Sequence, residues 1–199
     1  MTEQLDDAVQ PVLEESWGLG GDIGAACLRF ILGILFLGHG LQKLGWFKGP
    51  GWPASIDDQA AFVGLFGYSH TQLMAWLVTL TEVACGTLAM VGLLTPLAAA
   101  GMIGIGFQFA AGPQWSGGLF GNSTSSGLDQ TLLLMFAAAA LGFIGAGRYS
   151  LDAQFLPARL PLRGWQAGVI AVVLGVVAGA IVLAGFGVGL GGHPAIPQQ

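Results

Sequence analysis

Long apolar runs alternate with short polar stretches along this chain. Five of the runs reach or approach the roughly 20 residues that a helix needs to cross the hydrocarbon core of a bilayer. The first spans about Asp22 to Leu44, with Asp22 placed to cap it. The second spans about Thr71 to Leu94 and carries Ser69 and Gln72 in capping-box spacing. Thr95-Pro96 opens the third, an N-cap followed by proline at the first helical position, and the run continues to about Ala111. The fourth follows Ser126-Gly127-Leu128-Asp129, another capping box, and ends near Ala146. The fifth runs from about Leu162 to Leu190. Gly92-Leu93-Leu94-Thr95 is a tight turn, so the second and third runs form an antiparallel hairpin.

The connections differ in character. Gly45 to His70 holds Trp46, Phe47, Trp52 and Pro53. Within it, Ser55-Ile56-Asp57-Asp58 is placed to cap a short amphipathic helix ending in Phe62, Val63, Leu65 and Phe66, expected to lie in the interface plane. Gly112 to Gly127 carries Trp115 and no Lys or Arg, and its Gly, Ser, Asn and Thr content marks a polar connection. Gly147 to Arg163 holds Arg148, Arg159 and Arg163. The positive-inside rule assigns that loop to the cytoplasm, which puts the N-terminus inside, and the C-terminus and both tryptophan-bearing loops outside.

Composition agrees with the pattern. Hydrophobic residues make up 54% of the chain and charged residues 9%, against about 25% charged in an ordinary soluble domain. So few charges cannot cover a water-facing surface, and the bilayer must act as solvent. The net charge of −5 comes mostly from Glu3, Asp6, Asp7, Glu14 and Glu15 in a tail that lacks signal-peptide features and reads as retained. The absence of a basic patch argues against nucleic acid as a partner. Cys27 and Cys85 both fall in apolar segments and form no CxxC, which reads first as packing, with a redox pair as the alternative. Metal-ligand spacing, a nucleophile elbow and a phosphate loop are all missing, and His39, His70 and His193 are too scattered for a haem pair.

The candidate chemistry lies in polar residues inside apolar runs, which are costly and therefore functional candidates. Arg29 sits two turns into the first run, where it would either snorkel or pair with a carboxylate. Glu82 sits in the middle of the second, beyond the reach of snorkelling. Its candidate partners by depth are Arg29, His39 and Lys43, and an Arg29–Glu82 structural pair stands beside a working, proton-carrying Glu82. His39, Gln42 and Lys43 share one helix face through i, i+3, i+4 spacing. Gln108 near the outer end of the third run and Asp129 at the start of the fourth are expected at the same depth. Taken singly, Lys43 reads as an interfacial anchor and Asp129 as a helix cap. Together these residues read either as hydrogen-bonded glue between helices or as a site. In the fifth run, Ala171, Gly175 and Gly179 form a small-xxx-small stripe that marks a packing or partner face.

RFILGILFLGHGLQKLGWFKGPG, LTEVACGTLAMVGLLTPLAA and GRYSLD (Gly147 to Asp152) together resemble the DoxX/DoxD family of small bacterial and archaeal membrane proteins, over about Ala26 to Asp152. The resemblance implies a four-helix membrane core in the bacterial cytoplasmic membrane and a redox neighbourhood. Members are described as subunits of thiosulfate:quinone oxidoreductase, as associates of terminal quinol oxidases or, in mycobacteria, as parts of a membrane oxidoreductase complex. The positions matched to the family are Arg29, His39, Lys43, Glu82 and Arg148.

The expected architecture is therefore all-α and polytopic, a four-helix transmembrane bundle plus a fifth C-terminal transmembrane helix. It divides into an acidic cytoplasmic tail (1–21), the bundle (22–152), a basic linker (153–161), and the fifth helix with a short outer tail (162–199). The expected function is an integral subunit of a quinone-linked membrane complex, at most one part of an oxidoreductase. Glu82 and His39 are its candidate catalytic residues. Lys43, Gln42, Arg29, Gln108 and Asp129 are the candidate ligand-binding residues, quinone is the cofactor, and no metal or haem is expected. The expected partners are the other complex subunits and the lipid bilayer. The alternative is a non-catalytic scaffold that stabilises a larger complex.

Overall fold

The computed structural model describes residues 18–47, 53–112, 114–121, 127–155 and 164–186. The acidic residues of the tail, Trp52, Ser126, Arg159, Arg163 and His193 lie outside the described residues. Seven α-helices and one 3₁₀ turn form, with no strand among the described residues. They are α1 (Leu19–Lys43), α2 (Ile56–Leu65), α3 (Thr71–Val91), α4 (Thr95–Ala111), the 3₁₀ turn Trp115–Gly117, α5 (Asp129–Ile144), α6 (Leu151–Phe155) and α7 (Trp165–Gly185). Three of them, α1, α3 and α7, are long and apolar enough to cross a membrane, whereas α4 and α5 are apolar but shorter, at 17 and 16 residues.

Helices α1, α3, α4 and α5 close a four-helix bundle in which each packs on its neighbours. Leu32, Phe36, Cys85, Ala98, Met102, Ala138 and Leu141 fill its centre. The perimeter is greasy: Phe30, Ile34, Trp76, Leu80, Leu133, Phe136, Val173 and Ile181 are all exposed, while Arg29, Lys43, Gln59, Glu82 and Gln108 are buried. Apolar outside and charged inside inverts the arrangement of a soluble domain. Helix α7 packs in the groove over α4 and α5. Its Ala171, Gly175 and Gly179 stripe faces inward, with Gly175 against the Ala100 carbonyl and Ile103, and Gly179 against the Gly104 carbonyl and Phe107. Small residues let these two backbones meet where van der Waals contact replaces the hydrophobic effect. The stripe is thus an internal seam rather than a partner face.

Glycines also bring α1 and α3 together. A Cβ on Gly86 would run into the backbone of Leu37 and the Gly33 carbonyl, and one on Gly40 would meet Val83. Gly86→Val is therefore expected to push α1 off α3 and destabilise the fold by roughly 1–3 kcal/mol, as overpacking does. Thermal unfolding of the detergent-solubilised protein checks this, with Gly38→Val, where a Cβ meets open space, as the mild control.

The helix starts depart from the expected caps. Ser55 does accept from the Asp58 N–H at 3.0 Å and caps α2, which packs on α3 through a bundle-facing side that buries Ala60 and Val63. Asp22 does not cap α1, which begins at Leu19. Its carboxylate instead takes the Arg148 backbone N–H at 2.9 Å and Arg148 Nε at 2.6 Å. Ser69 donates to the Phe186 carbonyl at 2.9 Å and Gln72 to Asp57 at 2.7 Å, so neither caps α3. Nor does Thr95 cap α4. The chain leaves α3 through Gly92 in the left-handed region (φ 67°) and passes Leu94, also left-handed (φ 49°). The Asp152 carboxylate then accepts the Leu94 and Thr95 N–H groups at 2.6 and 2.9 Å. A carboxylate brought from 57 residues away does the work that local sequence assigned to a threonine. Leu128 rather than a polar side chain precedes α5.

Candidate functional site

A pocket of about 190 Å³ opens at the end of the bundle where α1 finishes and α5 begins. Helix α1 lends Leu35, Phe36, His39, Gln42 and Lys43. Helix α3 contributes Glu82, and α4 contributes Met102, Ile105, Gly106 and Phe109. On the far wall stand Gln130, Thr131, Leu134 and Met135 of α5, with Gln114 from the preceding loop. Pro53, Gln59 and Phe62 form the roof. Polar groups gather at the roofed end and apolar ones below, so the cavity is amphipathic. A cavity of about 150 Å³ accepts a benzene ring, and this one has room for a single six-membered ring.

At the polar end the Lys43 ammonium meets the Glu82 carboxylate at 2.5 Å, with both side chains at most a tenth exposed. Two charges out of water at this depth must be paired to persist. Lys43 is therefore not an interfacial anchor, and Glu82 takes Lys43 rather than Arg29. The register explains the choice. Arg29 Nη1 lies against Gly92, ten residues along α3 from Glu82, or roughly 15 Å of helix at 1.5 Å per residue. His39 borders the same cavity, one turn before Lys43. Thr131 Oγ1 donates to Gln114 Oε1 at 2.7 Å, fixing the loop amide against α5.

The remaining expected residues go elsewhere. Gln108 is buried, but it lines a second, more apolar cleft of about 140 Å³ between α3, α4 and α7, and its backbone carbonyl accepts from the Tyr68 hydroxyl at 3.4 Å. Asp129 is exposed at the first residue of α5 and does not line the main pocket. Arg29 lies at the opposite end, where Nη2 donates to the Tyr149 carbonyl at 2.8 Å and the guanidinium feels the Asp152 carboxylate. Its Nε and Nη1 find no partner among the described residues. The GRYSLD segment is thereby a lock: Arg148 grips α1 through Asp22, Tyr149 holds Arg29, and Asp152 caps α4. Cys85 is buried in the core and Cys27 is exposed, both as free thiols. Among the described residues no group of three or more His, Cys, Asp and Glu side chains could hold a metal.

Four polar pocket residues escaped the sequence reading: Gln59, Gln114, Gln130 and Thr131. All lie in loops or near helix starts, where polar residues are expected anyway. Only Gln59, i+3 from Ile56 on the face that also buries Val63, carried a periodicity signal.

An apolar perimeter around a buried ion pair and a roofed, amphipathic pocket define a polytopic helical membrane protein with an internal cavity. Residues 24–111 match the model of the DoxX family, so this part of the chain is similar to that family. The matched segment runs from within α1 to the end of α4, and so holds His39, Gln42, Lys43, Gln59 and Glu82, but not α5, the GRYSLD lock or α7. Neither a curated protein nor a solved structure matches the chain.

Proposed function

We propose that the pocket binds a quinone head group and that the protein is an integral subunit of a quinone-linked redox complex in the bacterial cytoplasmic membrane. The observation that carries this reading is the pocket itself, ring-sized and amphipathic, with a buried Lys43–Glu82 pair at its polar end. A quinone becomes a quinol by taking up two electrons, delivered here by a partner subunit, and two protons. His39 and the Lys43 ammonium can donate to a carbonyl oxygen. Glu82, held by Lys43, is the group able to pass a proton towards it. Helices α4 and α5 complete five spans in this reading. At 1.5 Å per residue they cover roughly 24–26 Å, and interfacial aromatic residues at both ends can supply the rest. Trp46, Phe47, Trp115 and Phe120 stand exposed at the pocket end, and Tyr149, Phe155 and Trp165 at the other. Aromatic belts of this kind sit at headgroup level. The arginine-bearing end, with the N-terminus, faces the cytoplasm.

The closed Lys43–Glu82 pair also favours a second reading, a scaffold whose polar cluster only joins helices. One experiment separates the two. The tagged chain is purified from native membranes in mild detergent, extracted for quinone and read by mass spectrometry for co-purifying subunits. Wild-type protein is expected to carry quinone, and His39→Ala to retain normal abundance while binding quinone about five- to tenfold more weakly, the effect of one lost hydrogen bond. Absence of quinone from the wild type, with His39→Ala lowering abundance, would leave the scaffold.

A further inference from the structure

Gln59 is 1% exposed and lines the pocket from α2, yet no described residue hydrogen-bonds its amide. The side chain is turned to the cavity rather than sealed in the core, and a polar group there is satisfied by water or by a ligand. The surroundings make the position deliberate. Ser55 caps α2 and Gln72 ties Asp57 to α3, while Ala60 and Val63 are buried beside Gln59. The helix is therefore seated so that its amide, and not one of the acidic side chains next to it, closes the cavity. Leucine or methionine would fill the same space without an unsatisfied group.

We infer that Gln59 is a specificity-determining residue of this pocket. Its amide hydrogen-bonds the oxygen of the bound head group in both its carbonyl and its hydroxyl form. The inference rests on the quinone reading above and extends it. The chemistry distinguishes Gln59 from its neighbours. Lys43 can only donate and an ionised Glu82 can only accept, but a side-chain amide offers N–H to a quinone carbonyl and C=O to a quinol hydroxyl. With Lys43 and Glu82 neutralising each other, the pocket has no net charge to discriminate against either neutral form. A site that holds both can exchange one for the other without either trapping it.

The test uses the full chain in phosphatidylcholine nanodiscs at pH 8, with decylubiquinone and decylubiquinol as probes. Tryptophan fluorescence quenching reads binding, and thermal unfolding reads stability. Wild-type protein is expected to bind both forms with Kd values within about threefold of each other, since the amide serves each equally. Gln59→Met keeps the shape and removes the hydrogen bonds. It should leave the Tm of the ligand-free protein at or above wild type while weakening both forms about five- to tenfold. Binding by Gln59→Met equal to wild type would overturn the inference while the pocket's role stands, because the amide would then be met by water. A Tm loss matching the binding loss would also overturn it, in favour of a packing role. Failure of wild-type protein to bind either probe would overturn the quinone reading, and this inference with it.

Discussion

Glu82→Ala is expected to be among the most damaging single changes in the molecule, costing about 3–5 kcal/mol, because it leaves the Lys43 ammonium buried without a counter-charge. The side chains of both partners are at most a tenth exposed, so water in the pocket can solvate the stranded ammonium only in part. Lys43 also cannot escape easily by snorkelling, since its amine already points inward to α3. The diagnostic comparison is the double variant Lys43→Met/Glu82→Leu, which removes both charges and refills the space. It should recover most of the stability, because an apolar pair of similar volume matches or betters a buried ion pair. Chemical unfolding in micelles, run as a double-mutant cycle, measures this directly. Equal losses in Glu82→Ala and in the double variant would show that the carboxylate acts through contacts other than Lys43. In the quinone reading the double variant is stable and inactive, which separates the pair's structural role from its chemical one.

The second large effect is expected at the other end. Asp152→Ala should cost about 3–5 kcal/mol. It removes the carboxylate that accepts hydrogen bonds from the Leu94 and Thr95 N–H groups, each of a kind typically worth about 1.5–3 kcal/mol. It also takes away the carboxylate that faces the buried Arg29 guanidinium. Leu94 adds to the damage, because a non-glycine residue at φ 49° holds that conformation only while its surroundings impose it. Asp152→Asn keeps an oxygen acceptor and should retain part of the stability. Thermal unfolding of both variants gives the comparison, and a loss no larger than that of an exposed acidic control such as Asp58→Ala would contradict the lock.

How much of this was legible beforehand varied with the kind of question asked. The five apolar runs matched five of the seven helices, because burial in a bilayer selects long hydrophobic stretches that need no partner to be recognised. The α3–α4 hairpin was legible from Gly92, whose left-handed conformation few other residues tolerate. The His39, Gln42 and Lys43 stripe does point into one cavity together with Glu82, since helical spacing alone puts the first three on one face. Caps were misread at Asp22, Ser69 and Thr95 because each motif describes a residue's preference for its own helix start, while the folded chain offered a stronger acceptor or donor from elsewhere. Gln108 and Asp129, expected beside the same site, do not line the main pocket: Gln108 faces the second cleft and Asp129 is exposed. Depth follows from counting residues along a helix, whereas the direction a side chain faces depends on how that helix is rotated in the bundle.

The sequence by itself determined that this is an all-helical membrane protein with an amphipathic stripe near the end of its first helix, because hydropathy and i, i+3, i+4 spacing are properties of single segments. Only the tertiary structure decided that Glu82 pairs with Lys43, that Arg29 belongs to the GRYSLD lock, and that Gln59 roofs the pocket. Those outcomes depend on the register between helices. Here the register follows from where backbones can approach most closely, at Gly33, Gly40 and Gly86 between α1 and α3 and at Gly104, Gly175 and Gly179 between α4 and α7. Sliding α1 by one turn would carry Lys43 about 5 Å along α3 and away from Glu82. The partner of a buried charge is thus set by the fit of two glycine-lined surfaces, which neither segment encodes alone.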